Sequence, residues 1–287
     1  NRIDNSPDGI VISSTTDTLI INNNLTNDVD AISLGGSNND NNRIINNTVF
    51  SAQDMALRIT ASKNNIITGN SFNNCSATGP NTGCIWLYNA DNSTFKDNKI
   101  NNAATYSILL KENSDNNLFQ DMISVNTSGV RLETTSTNDI FLNTTYENES
   151  FDSTGNKLIR QWYLDVNVTN SSGPLPGANV SAWENYTKGL YFTKLTGSNG
   201  FIERQNVTEY FQNITGRYYY TNYSLTTRMT GYENDSRKLN ITKSMQLDIS
   251  LNEDIPPNVS LISPDDNFIT NNPNVNFVCN ASDNIGL

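Results

Sequence analysis

Five aromatic or cationic side chains in the first half of the sequence could together bind a sugar chain. They are Arg58, Trp86, Tyr88, Lys111 and Arg131. Aromatic faces stack on sugar rings, and cationic groups donate hydrogen bonds to acidic groups or hydroxyls. Neighbouring Trp and Arg side chains can equally pack on one another through cation–π contacts, which shield the edge of a core. Both interpretations are open from the sequence.

The same region offers few of the groups that sugar-cleaving chemistry needs. Glycoside hydrolysis uses two neighbouring carboxylates, and only Glu133 falls in the rows that we predict to face outward. Asp28, Asp30 and Asp54 precede strands near one corner and could be weak metal ligands, but Asp is more typical of solvated turns. The chain has no His, so a His-based triad is excluded. We expect no catalytic residue, no metal and no cofactor in this chain.

The elements that position these side chains are repeats. An Asn-rich turn followed by apolar residues restarts six times, in steps of 24, 23, 28, 23 and 23 residues. The anchors are Ile20, Ile44, Ile67, Phe95, Leu118 and Phe141, followed five positions later by Leu25, Val49, Phe72, Ile100, Ile123 and Tyr146. Such a period predicts a repeat architecture. A leucine-rich repeat would need regular Leu positions and a helix, and a propeller blade would be about twice as long.

A second apolar pair in each repeat alternates with other residues and predicts a strand with one face in the core. The pairs are Ile10/Ile12, Ile32/Leu34, Leu57/Ile59, Ile85/Leu87, Ile108/Leu110 and Val130/Leu132. One outward row is then Val11, Ser33, Arg58, Trp86, Leu109 and Arg131, and the next is Ser13, Gly35, Thr60, Tyr88, Lys111 and Glu133. Asn occupies the turns because it tolerates the left-handed conformation. Stacking of such coils would bury the apolar face that one coil alone cannot.

The phrases Asn41 to Phe50, Asn64 to Phe72 and Asn92 to Ile100 resemble NosD-type repeats, which implies a right-handed parallel β-helix over residues 1–158, about six to seven coils. The resemblance does not imply one function, because the fold carries lyases, epimerases, adhesins and inert stalks. Copper delivery, which the NosD name suggests, lacks support because copper sites use His, Met or Cys, and this chain has no His and only four scattered Met.

The repeats end near residue 158, and residues 159–254 resemble a carboxypeptidase regulatory-like, or transthyretin-like, β-sandwich. The resemblance rests on the strand from Trp162 to Val168, the Pro-rich turn from Gly173 to Val180, the segment from Thr196 to Ile202 and a late Gly-Tyr pair at Tyr232. It implies a non-catalytic spacer or docking module. After a linker at Pro256-Pro257, residues 255–287 resemble the truncated N-terminal part of an Ig-like sandwich, which implies an inter-sheet disulfide role for Cys279. The predicted fold class is therefore all-β throughout.

Composition limits the possible partners. The 287 residues carry a net charge of -11 without a basic block, so nucleic acid and anionic membranes are poor partners. No apolar stretch is long enough to span a bilayer. We expect the chain to be a segment of a longer protein, because it starts inside a repeat phrase and stops inside a strand pattern.

Two features favour an exported protein. Asn-x-Ser/Thr sequons occur 18 times, although the richness in Asn, Ser and Thr accounts for many of them. Candidate glycosylation sites among them are Asn24, Asn46, Asn92, Asn143, Asn167, Asn185, Asn213, Asn240 and Asn258. Cys75 and Cys84 bracket the insertion in the long repeat and could form a local disulfide, or remain unlinked thiols.

The sequence thus favours a modular extracellular or cell-surface protein that is non-catalytic in this segment. It would act as a stalk, an adhesion module or a glycan-binding scaffold, with polysaccharides, surface glycans or other surface proteins as partners. The alternative is the C-terminal part of a polysaccharide lyase, hydrolase or epimerase whose active coils precede Asn1. An inert spacer is a third hypothesis.

Overall fold

The structure is a computed structural model that describes residues 1–36, 39–76, 79, 82–254 and 258–282. Every regular element in these residues is a β-strand. The chain divides into two compact units. The first contains residues 1–163, 206–221 and 241–244, and the second contains residues 164–205, 222–240 and 245–287. The predicted bounds of the three domains, 1–158, 159–254 and 255–287, remain predictions.

Three sheets wrap around the core of the first unit, and each coil of the chain contributes one strand to each sheet. The first sheet is parallel, with six strands in the order β1 (Arg2–Asp4), β4 (Asn24–Thr26), β7 (Thr48–Phe50), β10 (Ser71–Cys75), β13 (Lys99–Ala103) and β16 (Ile123–Val125). Each strand therefore pairs with its equivalent in the next coil, which is the arrangement of a parallel β-helix.

The second sheet is also parallel and has seven strands. In spatial order they are β2 (Asp8–Ser13), β5 (Asp30–Gly35), β8 (Leu57–Thr60), β11 (Gly83–Tyr88), β14 (Tyr106–Lys111), β17 (Val130–Leu132) and β19 (Glu149–Phe151). This sheet carries the five candidate binding residues on strands β8, β11, β14 and β17.

The third sheet begins with short parallel strands and continues into longer ones. Its order is β3 (Leu19–Ile21), β6 (Arg43–Ile45), β9 (Ile66–Thr68), β12 (Thr94–Lys96), β15 (Leu118–Gln120), β18 (Asp139–Leu142), β20 (Leu158–Asn170), β24 (Gln205–Asn213) and β25 (Gly216–Tyr219). Strands β24 and β25 form an antiparallel hairpin. Two more strands, β21 (Gly173–Pro174) and β28 (Met245–Ser250), pair with β20.

Inward side chains stack in register through the coils and form one continuous apolar core. Five of the six predicted alternating pairs are buried at both positions, and Ile12 of the first pair is buried while Ile10 packs partly exposed against the same core. Phe95, Phe119 and Phe141 stack with ring centroids 4.7 and 4.5 Å apart. Burial of such ladders is the main favourable free energy of the fold.

Two predicted anchors are displaced by one residue. Phe119, and not Leu118, pairs with Phe95 and is buried, while Leu118 pairs with Thr94. In the six-stranded sheet, Ser124 pairs with Ile100 and faces inward, so the predicted Ile123 is exposed. A shift of one residue reverses the face of a strand. At the first anchor two adjacent apolar residues left the choice open, and the stack of Phe95, Phe119 and Phe141 decides it. At the second anchor the inward residue is polar, so an apolar pattern does not mark it.

The Asn-rich turns use their two central residues differently. The first adopts a left-handed conformation, as at Asn22, Asn46 and Asp97, with φ of 55°, 53° and 54°. Gly69 occupies the same place with φ of 66°, and a Cβ there would lie 2.3 Å from Oδ1 of Asn46. Close approach between coils therefore requires Gly at this one turn.

The second residue of each turn belongs to a buried column that runs along the stack. The column consists of Asn23, Asn47, Asn70 and Asn98. In each step, Oδ1 of one Asn accepts hydrogen bonds of 2.8 to 3.0 Å from the backbone N–H and the Nδ2 group of the Asn in the preceding coil. These bonds satisfy buried polar groups that the turns would otherwise leave unpaired.

The second unit contains a separate antiparallel sheet. Its order is β23 (Leu190–Leu195), β22 (Asn179–Trp183), β26 (Tyr223–Arg228) and β27 (Asp235–Leu239). Val180, Ala182 and Leu225 are buried on this sheet. Strands β29 (Asn258–Ser263) and β30 (Val278–Ser282) form an antiparallel pair with exposed side chains. The predicted linker at Pro256-Pro257 lies outside the described residues, and the two sandwich resemblances remain predictions.

Candidate functional site

The outward face of the seven-stranded sheet brings Arg58, Trp86 and Tyr88 into contact. Arg58 on β8 lies opposite Trp86 on β11, and its guanidinium carbon is 5.3 Å from the centre of the Trp86 ring. Tyr88 follows two residues along the same strand and therefore points to the same side. The Trp86 and Tyr88 rings are 5.4 Å apart at a tilt of 27°. Two nearly parallel aromatic rings thus stack on each other at this face.

The Arg58 cation is only partly available to a ligand. Its Nη1 atom lies 3.4 Å from Oδ2 of Asp30, and the Asp30 side chain is largely buried. The Arg58 side chain remains 44% exposed. Its positive charge is therefore offset within the protein, while part of the side chain still reaches solvent.

The other two predicted cations form a second group around Glu133. Lys111 Nζ lies 3.2 Å from Oε2 of Glu133, and Arg131 Nε donates to Oε1 at 2.5 Å. Arg131 also lies over the Tyr106 ring, 5.5 Å from its centre. Glu133 is only 3% exposed, so the one carboxylate of the predicted outward rows is enclosed by two cations.

Leu109 stands between the two groups in the outward row and separates them. It pairs with Trp86 on one side and Arg131 on the other, yet it is fully buried. The indole N–H of Trp86 is also buried, without a hydrogen-bond partner among the described residues. The five candidate residues therefore share one sheet face but form two clusters.

Two of the three Asp residues considered as weak metal ligands accept backbone hydrogen bonds. Asp28 accepts a hydrogen bond of 2.8 Å from the Ser6 backbone N–H, and Asp30 accepts one of 3.3 Å from Met55. Burial raises the pKa of the Asp54 carboxyl, and Asp30 adds to this while Arg58 opposes it. Among the described residues no group of three or more His, Cys, Asp or Glu side chains could hold a metal ion.

Cys75 and Cys84 are joined by a disulfide, with Cα atoms 5.3 Å apart. Both residues are buried against the core of the β-helix. Half of the loop between them, residues 77, 78, 80 and 81, lies outside the described part of the chain. Cys279 is a free, exposed thiol.

The nine candidate glycosylation sites differ in accessibility. The exposed ones are Asn24, Asn46, Asn92, Asn185, Asn240 and Asn258. Asn143, Asn167 and Asn213 are half-buried and engaged in hydrogen bonds, such as that of 2.7 Å from Asn143 Nδ2 to Asp121.

A polar cluster at the last coil was not predicted from the sequence. It combines Glu149, Arg160, Trp162, Glu209 and Arg217, which belong to strands β19, β20, β24 and β25. Trp162 carried a strand signal, but no spacing connects it with Glu209, 47 residues later. Only the pairing of the β24–β25 hairpin with β20 brings these groups together.

The repeat geometry and its sequence pattern define the class of protein. The chain matches the sequence model of the right handed beta helix region over residues 8–172, which is more than half of its length. The protein therefore belongs to the right-handed β-helix family. No curated protein matches the chain.

Three solved structures have partial similarity. The major pilin subunit of Bacillus cereus is 16% identical with a TM-score of 0.27, over 35% of this chain and 31% of that one. The TIE protein of Bacillus anthracis is 12% identical with a TM-score of 0.25, over 37% and 19%. Tailspike protein 2 of Escherichia coli O157:H7 bacteriophage CAB120 is 9% identical with a TM-score of 0.34, over 82% and 52%. The chain thus matches about half or less of the length of each protein.

Within the described ranges, no helix is long and apolar enough to cross a membrane.

Proposed function

We propose that this chain is a non-catalytic, carbohydrate-binding scaffold of an extracellular or cell-surface protein. The observation that carries the proposal is the pair of nearly parallel rings, Trp86 and Tyr88, 5.4 Å apart on the outward face of a parallel sheet. Sugar rings present apolar C–H faces that stack on aromatic rings, and a flat face suits an extended chain better than a compact ligand.

The charges around the rings favour a neutral glycan over an acidic one. Arg58 is paired with Asp30, and Lys111 and Arg131 share Glu133. An acidic sugar would have to compete with these carboxylates for the cations. A hydroxyl, which both donates and accepts, can join such pairs without displacing them.

The arrangement of Glu133 supports a binding role without catalysis on this face. Both of its oxygens are held by cations, at 3.2 Å from Lys111 and 2.5 Å from Arg131. A general acid or base must exchange a proton with the substrate, and glycoside hydrolysis needs a second carboxylate nearby. An ion-paired, buried Glu133 suits the positioning of its neighbours instead.

A surface location is supported by the exposed sequons and the Cys75–Cys84 disulfide. Disulfides persist in oxidising environments outside the cytosol. We extend the proposal to the finer assignments: NosD-type repeats in residues 1–158, a carboxypeptidase regulatory-like module in 159–254 and the start of an Ig-like domain in 255–287. The last two would act as spacers in a modular surface protein.

Binding to an array of neutral and acidic oligosaccharides tests the proposal. We expect the unmodified chain to retain neutral glycans, and Trp86→Ala to weaken binding about tenfold through the loss of ring stacking. Arg58→Ala should weaken it less, because Asp30 already offsets its charge.

The matched control is Phe50→Ala, which removes an exposed aromatic ring from the six-stranded sheet and should leave binding unchanged. Melting curves of each variant verify folding. Absence of glycan binding by the unmodified chain, or full binding by a folded Trp86→Ala variant, would contradict the proposal.

A further inference from the structure

A cavity lies at the last coil of the β-helix unit. Its volume is about 360 Å³, within the range of about 300–1,000 Å³ that is typical of small-molecule sites. Its lining residues all belong to this unit and comprise Tyr146, Glu149, Arg160, Trp162, Glu209 and Arg217 with four neighbours. None of them belongs to the Trp86 face.

Glu149 is an unusual residue for its position. It pairs in register with Val130, whose side chain is part of the core, yet it places a carboxylate there that is only 2% exposed. Its Oε1 atom accepts hydrogen bonds from the hydroxyls of Tyr146 and Tyr210, the latter at 2.6 Å, and Oε2 lies 3.2 Å from Arg217. Burial of an ion at the end of an apolar stack needs this full set of partners.

The two Tyr hydroxyls remain donors at physiological pH. Burial raises the pKa of both Tyr146 and Tyr210 above the ordinary value of a phenol, and the negative charge of Glu149 adds to it. They therefore both donate to Glu149 and fix one wall of the cavity.

Arg160 lines the cavity next to Tyr146. Its guanidinium lies between two rings, 4.3 Å from the centre of Tyr146 and 4.6 Å from that of Trp162. Oε2 of Glu209 accepts a hydrogen bond of 2.6 Å from the Trp162 indole but lies 4.0 Å from Arg160 Nε. That distance is too long for a direct hydrogen bond. A ligand hydroxyl that accepts a hydrogen bond from Arg160 and donates one to Glu209 would bridge these two side chains.

The charge balance identifies the ligand class. Glu147, Glu149 and Glu209 oppose Arg160 and Arg217, so the lining carries a net charge of -1 by count. An anionic ligand would be repelled by this excess, and an amine would face the Arg160 guanidinium. A hydroxyl group is both donor and acceptor. We propose that this cavity binds one unit of a neutral saccharide, with hydroxyls between Arg160 and Glu209 and Arg217 at the rim.

Trp162 provides a specific reporter, because the chain has only three Trp residues. In a Trp86→Phe/Trp183→Phe variant, all Trp emission comes from Trp162 in the cavity. We expect this emission to change and saturate on titration with at least one of maltotetraose, cellotetraose and chitotetraose, and not with trigalacturonate. Calorimetry on a Trp86→Ala variant, which lacks the ring of the outer face, gives the same comparison for the cavity without the fluorescence reporter.

Glu209→Gln keeps the shape of the side chain and removes its charge, so it should weaken saccharide binding about tenfold or more. Arg217→Gln should also weaken it, while Arg204→Gln is the matched control, because Arg204 makes a comparable ion pair with Asp165 in the other unit. Melting curves show whether each variant is folded.

The proposal is overturned if no neutral probe changes the Trp162 emission, if trigalacturonate binds more tightly, or if folded Glu209→Gln binds like the unmodified chain. The network would then only attach the hairpin to the last coil. The outer face is tested separately, since Trp86→Ala should leave the Trp162 response intact. Loss of all binding in Trp86→Ala with a silent Trp162 would reject this cavity and retain the outer face.

Discussion

At the scale of single residues, Asp139 is a buried carboxyl where the repeat prefers an uncharged group. It ends a second column, which continues through Asn42, Asn65, Ser93 and Asn117. Its Oδ1 accepts two hydrogen bonds from Asn117, at 3.0 and 3.1 Å, while the buried Oδ2 has no partner among the described residues. Burial raises the pKa of Asp139 well above its ordinary value, and Asp115 and Asp91 add to the effect.

Because the folded-state pKa lies above the unfolded one, the protonated form favours folding. That contribution is complete below the unfolded pKa of about 3.9 and is lost as the pH rises through the folded pKa. We therefore expect Asp139→Asn to raise the free energy of unfolding at pH 7 by about 1–3 kcal/mol. The gain should shrink toward pH 4, as measured by urea unfolding across pH.

The exposed Asp8→Asn variant makes the same chemical change without burial and should not alter stability measurably. Equal stability of Asp139→Asn and the unmodified protein at pH 7 would show that the carboxylate is accommodated.

At the scale of the elements, the Asn column connects successive turns and should matter more than any single surface contact. Asn47 bonds to Asn23 and Asn70 and to the carbonyls of Ile20 and Ile45, at 2.8 to 3.1 Å. We expect Asn47→Ala to lower the free energy of unfolding by about 2–4 kcal/mol, because buried partners lose their bonds. Chemical denaturation measures the change.

The comparison variant is Asn101→Ala, which removes one partly buried hydrogen bond of 2.9 Å to Asn73. It should lower stability by about 1 kcal/mol or less. Equal losses in the two variants would mean that the column adds nothing beyond an ordinary surface amide.

At the scale of the whole molecule, the two units have separate buried cores and should respond to different substitutions. The Cys75→Ser/Cys84→Ser pair removes a crosslink within the first unit, and we expect a loss of about 2–3 kcal/mol there. Leu225→Ala creates a cavity in the second unit, with a loss of about 2–5 kcal/mol.

Calorimetry should resolve two transitions, each substitution lowering only the transition of its own unit. A single transition that both variants shift equally would show that the two units unfold together. Reduction of the unmodified protein under the same conditions should reproduce the effect of the Cys pair alone.

The repeat period and the alternating pairs predicted the parallel β-helix from the sequence, because stacking repeats one local pattern in every coil. Inward positions such as Ile32 and Leu57 were identified correctly, since alternation marks one face of a strand. The register failed at Leu118, where the adjacent apolar Phe119 left the face undecided, and at Ile123, because the inward residue is the polar Ser124, which an apolar pattern does not mark. The sequence did not lead us to predict that turn Asn residues form a buried, hydrogen-bonded column, although their recurrence in register was a usable signal.

The sequence by itself determined which side chains share the outer face, because the period fixes their register: Arg58, Trp86 and Arg131 lie in one row, as predicted. Only the tertiary structure decided how far these cations are available to a ligand. Asp30 and Glu133 form ion pairs with Arg58 and Arg131 and offset their charges, and no spacing reveals that these two carboxylates are buried. The Arg160 and Glu209 cavity was likewise decided by the tertiary structure, because residues far apart in the chain meet there only after the hairpin pairs with the last coil.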